Sequence, residues 1–196
     1  MVFMFFVAGK PRGKFDNDQI QQMQAAHLAN LRARHRDGVL KLAGPCADPD
    51  QKKRGIVLLD VKDAQGIEKH FVEDPFVEHG LLTIEAVPVS APILDLGEPE
   101  ETGIEEHTIV LFRARDRALK AKPSEAYYAQ LPASERPAVA LVATKPGTLR
   151  MALIFREKDV EGIRKLVALD PAVARGDLTA EVWQQWLPAG SLANPK

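Results

Sequence analysis

The sequence predicts an α+β protein made of two copies of one small βαββαβ domain, and two observations carry that prediction. The first is an internal repeat. Slid by 96 positions, residues 54–85 fall on residues 150–181 without a gap, and 13 of the 32 positions are identical. Lys62-Asp63 meets Lys158-Asp159, Gly66-Ile67 meets Gly162-Ile163, and Asp74-Pro75 meets Asp170-Pro171. A period this long marks two domains rather than a solenoid of short units, and 196 residues divide into two domains of ordinary size. The second observation is the order of apolar runs and helical spacings, which is shared by the two copies.

Residues 2–7 form a continuous apolar run bounded by Gly9 and Pro11, which reads as a strand buried on both faces. Asp16, Asn17 and Asp18 offer caps for a helix to about residue 35, closed by Asp37-Gly38. Ile20, Met23, His27 and Leu31 recur at spacings of three and four and share one face of it. Residues 39–43 read as a second strand ended by Gly44-Pro45, residues 46–53 as a polar turn, and residues 55–61 as a third strand. Asp63 is placed to cap a second helix with Ile67 and Phe71 inside, Asp74 in its last turn, and Pro75 stopping it. Residues 81–87 supply a fourth strand.

The second copy runs in the same order. Strands are expected at residues 107–112, 138–143, 150–155 and 178–183, with helices at about 123–131 and 158–169. Between the copies, residues 88–106 are rich in Pro, Gly and Glu and read as a solvated linker. The expected domains are therefore residues 1–89 and 107–196, joined by residues 90–106. The order is that of the ferredoxin-like split βαβ fold. With both helices on one face of the sheet, the other face is left apolar and needs a partner.

Composition narrows the function. With 45% hydrophobic and 27% charged residues, the chain is ordinary globular material, and a net charge of -1 offers no footprint for nucleic acid or an anionic membrane. The lone Cys46 excludes an internal disulfide. The apolar N-terminus lacks a basic segment before it and a small-residue cleavage site after it, so it reads as a strand rather than a signal peptide. No run approaches the roughly 18 apolar residues of a membrane helix. A cytoplasmic protein is the default expectation.

His27 is the first candidate for chemistry. On the apolar face of a helix its ring is drawn out of water, where its titration becomes tunable. By position alone, a core histidine bonded to a backbone carbonyl explains it better than a functional one. Asp74 is the second candidate. A carboxylate in the last turn of a helix faces the negative end of the dipole and needs something to offset that. A histidine partner would do so and would fix the imidazole tautomer for general-base work. An Asp-Pro turn, with the carboxylate bonding backbone N–H groups, is the alternative. Asp170-Pro171 recurs in the copy whose first helix has no histidine, so the aspartate has at least a structural reason to be there. Gly44, Pro45 and Cys46 at a strand end, and His79 after the second helix, are placed to line a pocket. His70, Asp74 and His79 do not make a metal site on this spacing, since no cysteine set supports one. No P-loop, dinucleotide fingerprint or nucleophile elbow is present.

The strings HLANLRARHRDGVLKLAGP, RGIVLLDV and EDPFVEHGLLTIEAVPV resemble the YCII-related family of small dimeric α+β-barrel proteins over about residues 2–89. The second copy resembles it through ALDPAVARGDLTAEVWQQW. The resemblance implies two ferredoxin-like sheets packed face to face into a barrel, supplied here by both copies as a pseudo-dimer within one chain, with a homodimer also open. It implies a His–Asp active-site pair falling on His27 and Asp74, and it moves the balance for His27 toward function. A family group similar to dehydrochlorinases of chlorinated hydroquinones, and muconolactone isomerases and small monooxygenases in the wider superfamily, imply the chemistry. The expectation is an enzyme without metal or organic cofactor, using His27 as general base in elimination or isomerisation of a small cyclic or phenolic ligand. The alternative is a non-catalytic binding or scaffold protein. Lacking a histidine in its first helix, the second copy is expected to hold at most a vestigial site.

Overall fold

The computed structural model describes residues 1–116 and 120–194. The chain divides into two compact units, Met1–Pro88 and Val89–Lys196.

In the first unit, β1 (Val2–Ala8) lies between β3 (Lys53–Leu59) and β4 (Leu82–Leu94), with β2 (Leu40–Pro45) outside β3, and every pairing is antiparallel. The central place of β1 explains its unbroken apolar run, since Val2 to Phe6 are all buried. On the helix-facing side Val2, Met4, Phe6, Val57 and Leu59 pack with Ile67 and Phe71. Phe3, Phe5, Ile56 and Leu58 alternate with them onto the other face and are equally buried.

α1 (Asn17–Arg36) starts at a capping box: Asp16 Oδ1 accepts from Gln19 N at 2.8 Å, and Gln19 Oε1 accepts from Asp16 N at 3.0 Å. It ends where Gly38 takes φ +72°, as the Asp37-Gly38 pair predicts. Of its 20 residues only Met23 is buried, while Ile20, His27 and Leu31 are half-buried on the same side. The helix therefore covers the sheet loosely.

The segment after β3 departs from expectation. No second helix runs from Asp63 to Asp74. A single 3-10 turn, Ile67–His70, is followed by a separate four-residue helix, α2 (Pro75–Glu78). Gly66 takes φ +73° and Phe71 φ -129°, so neither residue continues a helix. Pro75 begins α2 instead of ending its predecessor, since proline is accommodated at the first helical position. The expected linker also shrinks. β4 extends to Leu94: residues 82–88 pair with β1 in the first unit, and Val89, Ser90, Ile93 and Leu94 pair with β6 (Val139–Ala143) in the second. Val89, Ile93 and Leu94 supply the strand character that the nearby prolines obscure.

The second unit repeats the strand order, with β6 beside β7 (Leu149–Phe155), then β5 (Ile104–Ala114), then β8 (Leu178–Pro188). Its helices are α3 (Glu125–Ala129), α4 (Val160–Ala168) and α5 (Pro171–Ala174). Here the second helix does form. Asp159 caps α4 through Gly162 N at 3.0 Å, and Ile163 and Val167 are buried against the core. Among the described residues no helix is long and apolar enough to cross a membrane.

Candidate active site

His27 and Asp74 meet. His27 Nδ1 lies 2.5 Å from Asp74 Oδ2, with the imidazole 12% exposed and the carboxylate fully buried. A carboxylate only accepts, so the Nδ1 nitrogen carries the proton and donates it. No hydrogen bond among the described residues reaches Nε2, which keeps the ring's lone pair free.

Asp74 divides its two oxygens between two tasks. As the N-cap of α2, its Oδ1 accepts from Phe76 N at 3.1 Å and Val77 N at 3.4 Å. Its Oδ2 is left for His27. The carboxylate thus sits at the start of a helical turn, rather than in a last turn against the negative end of a dipole. The Asp-Pro turn and the histidine partner, which the sequence left as alternatives, are both present. The imidazole is held on two further sides by the rings of Phe6 at 5.2 Å and Phe76 at 5.6 Å, both edge-on, and Phe6 is backed by Phe71 at 5.3 Å. Aromatic edges and a short bond at Nδ1 fix the ring's orientation.

The second unit has the same frame with another occupant. Phe112 pairs across the strands with Met151 and Ala180, as Phe6 pairs with Gly55 and Ile84. These partners stand 96 residues apart in sequence, so Phe112 is the counterpart of Phe6. Against Phe112 lies the ring of Tyr128, at 5.9 Å. Asp170 is fully buried and caps α5 through Ala172 N at 2.8 Å, as Asp74 caps α2. Its Oδ2 accepts from the backbone N–H of Ser124 at 2.9 Å. Tyr128 is 1% exposed; burial first, then the Asp170 charge, push its phenol well above the usual range. Its hydroxyl is near enough to feel that carboxylate without making a well-formed bond to it. Tyr128 therefore takes the place that His27 has in the first unit. This is not legible in the sequence, because α3 aligns poorly with α1 and the correspondence shows only through the strand register.

The remaining candidates do not join the pair. Gly44 and Pro45 end β2, where Pro45 pairs with Gly55 two strands from Phe6. Cys46 Sγ faces Lys53 O at 3.7 Å, and burial, helped by Asp48, pushes its thiol up to about 11. It stays protonated near neutrality. Its neighbour Asp48 organises the turn that the sequence showed only as polar, accepting from Asp50 N, Lys52 N and Lys53 N at 2.8–3.2 Å. Burial alone would raise the Asp48 pKa, but these N–H groups and the Lys53 charge hold it below the usual carboxylate value. His79 is exposed, capping the end of α2 with its ring 5.2 Å from that of Phe15. An open cleft of about 340 Å³ follows Val61, Lys62 and the 3-10 turn to His70, and its lining includes neither His27 nor Asp74. Among the described residues no three of His, Cys, Asp or Glu converge as a metal site.

Residues 1–90 match the YCII-related domain. The first unit is a YCII-related domain. The match ends there, leaving the second unit to be judged on its strand order and its buried Asp170. No curated protein matches the chain. Among solved structures, a "putative monooxygenase" from Lactobacillus acidophilus NCFM is similar at 8% identity and TM-score 0.49, over 98% of each chain. The siroheme decarboxylase NirDL, solved with an iron-uroporphyrin III analogue, is similar at 9% identity and TM-score 0.39, over 99% of this chain and 73% of that one. At such identities neither likeness carries chemistry over to the YCII-related domain described here.

Proposed function

We propose that the YCII-related domain is a general-base site, with His27 Nε2 as the base and Asp74 as the group that orients it. The observation that carries this reading is the 2.5 Å bond from Nδ1 to a buried carboxylate whose other oxygen is tied to two backbone N–H groups. A carboxylate held from both sides fixes one tautomer, places the Nε2 lone pair outward, and stabilises the imidazolium formed when a proton arrives. The ligand is a small cyclic or phenolic molecule. Nε2 takes a proton from a C–H or O–H of the ring, and the electron pair left behind either expels a leaving group or shifts a double bond. In elimination the proton passes on to water; in isomerisation it returns to another carbon of the same ligand. This chain's residues supply each proton transfer.

The test is turnover of a panel of chlorinated hydroquinones and small unsaturated lactones, followed by halide release and by exchange of ring protons with deuterated solvent. His27→Ala is expected to lower turnover by about 10²–10⁴, the usual worth of a general base. Full turnover in that variant refutes the reading. The Asp170 cap favours a second reading, because the aspartate is retained where no histidine needs it. On that view the pair is a structural bond in a binding protein, and His27→Ala would lower the melting temperature without any turnover to lose.

A further inference from the structure

On the helix-facing side of the first sheet, one strip is less covered than its neighbours. Leu82, Ile84 and Ala86 of β4 lie opposite Ala8, Phe6 and Met4 and pack against the same core, yet all three are only half-buried. Their counterparts in β8 are Leu178, Ala180 and Val182; Leu178 and Val182 are 2% and 3% exposed, while Ala180 is half-buried like Ile84. The difference lies in the layer above the strand. In the second unit the Lys158-Asp159 to Lys165 stretch forms α4, which packs on β8. In the first unit the matching stretch yields only the 3-10 turn Ile67–His70, because Gly66 is left-handed while Gly162 is helical. The two outer positions of the strip are therefore open in the copy that has the histidine and covered in the copy that has the tyrosine.

The strip also adjoins the His–Asp pair. Ile84 is the cross-strand partner of Phe6 on the same face, and Phe6 is the ring that holds His27. An apolar wall with a few polar groups converging at one end is the usual make-up of a small-molecule site. Three side chains are far too few for a protein partner, which needs about 800 Å² per side.

We propose that Leu82, Ile84 and Ala86 form an apolar subsite that seats the ring of a small ligand, with the ligand's polar end at His27. The direction of the ligand rests on the general-base reading; the existence of the subsite does not. Ile84 is then a specificity-determining residue, since it stands nearest to Phe6 in the register.

The experiment uses the full chain, methyl-labelled, with 4-methylphenol as the probe. Saturable shifts are expected at the Leu82 and Ile84 methyls and at the His27 ring. Ile84→Ala, which installs the residue the second copy has at this position, is expected to weaken binding about tenfold by removing apolar contact. Leu82→Ala serves as a second variant should Ile84→Ala fail to fold. Repeating the Ile84→Ala measurement in a His27→Gln background separates the two proposals. A preserved Ile84 effect there supports the subsite even if the turnover assay defeats the general base. Shifts confined to other parts of the chain, or affinity unchanged in both strand variants, overturn the subsite.

Discussion

Asparagine at the two matched aspartates should have unequal consequences. In Asp74→Asn the amide oxygen can still accept from Phe76 N and Val77 N, so the amide nitrogen is turned toward His27. The imidazole adapts by moving its proton from Nδ1 to Nε2 and accepting the new bond, so both backbone N–H groups and the ring nitrogen keep a partner. The stability cost should be the smaller of the two, about 1 kcal/mol, the scale of one neutral hydrogen bond. Asp170→Asn has no such escape. Both carboxylate oxygens face backbone N–H groups, Ala172 N at 2.8 Å and Ser124 N at 2.9 Å, and a peptide nitrogen has no second tautomer. One donor must meet the amide NH₂ group and go unsatisfied, at a cost of about 1–3 kcal/mol. Urea unfolding of both variants gives the two energies, and long-range ¹⁵N spectra of the His27 ring give the tautomer. The expected pattern is a small loss with a switched tautomer at Asp74 and a larger loss at Asp170. Equal losses, or an unswitched His27 in Asp74→Asn, would refute the division of the Asp74 oxygens.

Two further outcomes follow from the turn between β2 and β3. The Asp48 carboxyl has its folded pKa held below the ordinary 3.8, so its contribution to stability is complete above that value and is lost as pH falls through the folded pKa. Asp48→Asn should therefore remove about 2 kcal/mol at neutral pH, from weakened charge-assisted bonds, and flatten the acid limb of a stability–pH curve below pH 4; an unchanged acid limb counts against this. Cys46, raised from 9.0 to about 11, carries about a hundredfold less thiolate at neutral pH and should be alkylated correspondingly slowly until the chain is unfolded; labelling of the native protein at the free-thiol rate would contradict the burial argument.

Strands and the first helix were legible because their signals are local. An unbroken Val-Phe-Met-Phe-Phe run can only be a central strand, and Asp16 with Gln19 three positions later announces a helix start. His27 is legible as a candidate because it is polar where the helical periodicity demands an apolar residue, and Asp74 because a carboxylate expected at a helix end calls for a partner. The direction of Asp74 is ambiguous in the sequence, since a proline after aspartate both stops one helix and starts the next. Gly80, left-handed at φ +70° six residues on, marks the far end of that short helix and could have settled the choice. The two forms of the Lys-Asp-x-x-Gly-Ile-x-Lys stretch were not legible. The same residues make a turn in one copy and a helix in the other, so packing decides between them rather than propensity. Tyr128 was hidden for a related reason, as its place over Phe112 depends on strand register.

The split use of the Asp74 oxygens bears on how such a site can arise and vanish. Because backbone N–H groups alone hold Asp170, through the α5 cap and Ser124 N, the acid half of the pair persists in a copy with no histidine in its first helix. Base and orienting group therefore need not be gained together. On the general-base reading, a lineage can lose the pair through changes on one helix, leave the carboxylate in place, and recover the pair from that helix alone.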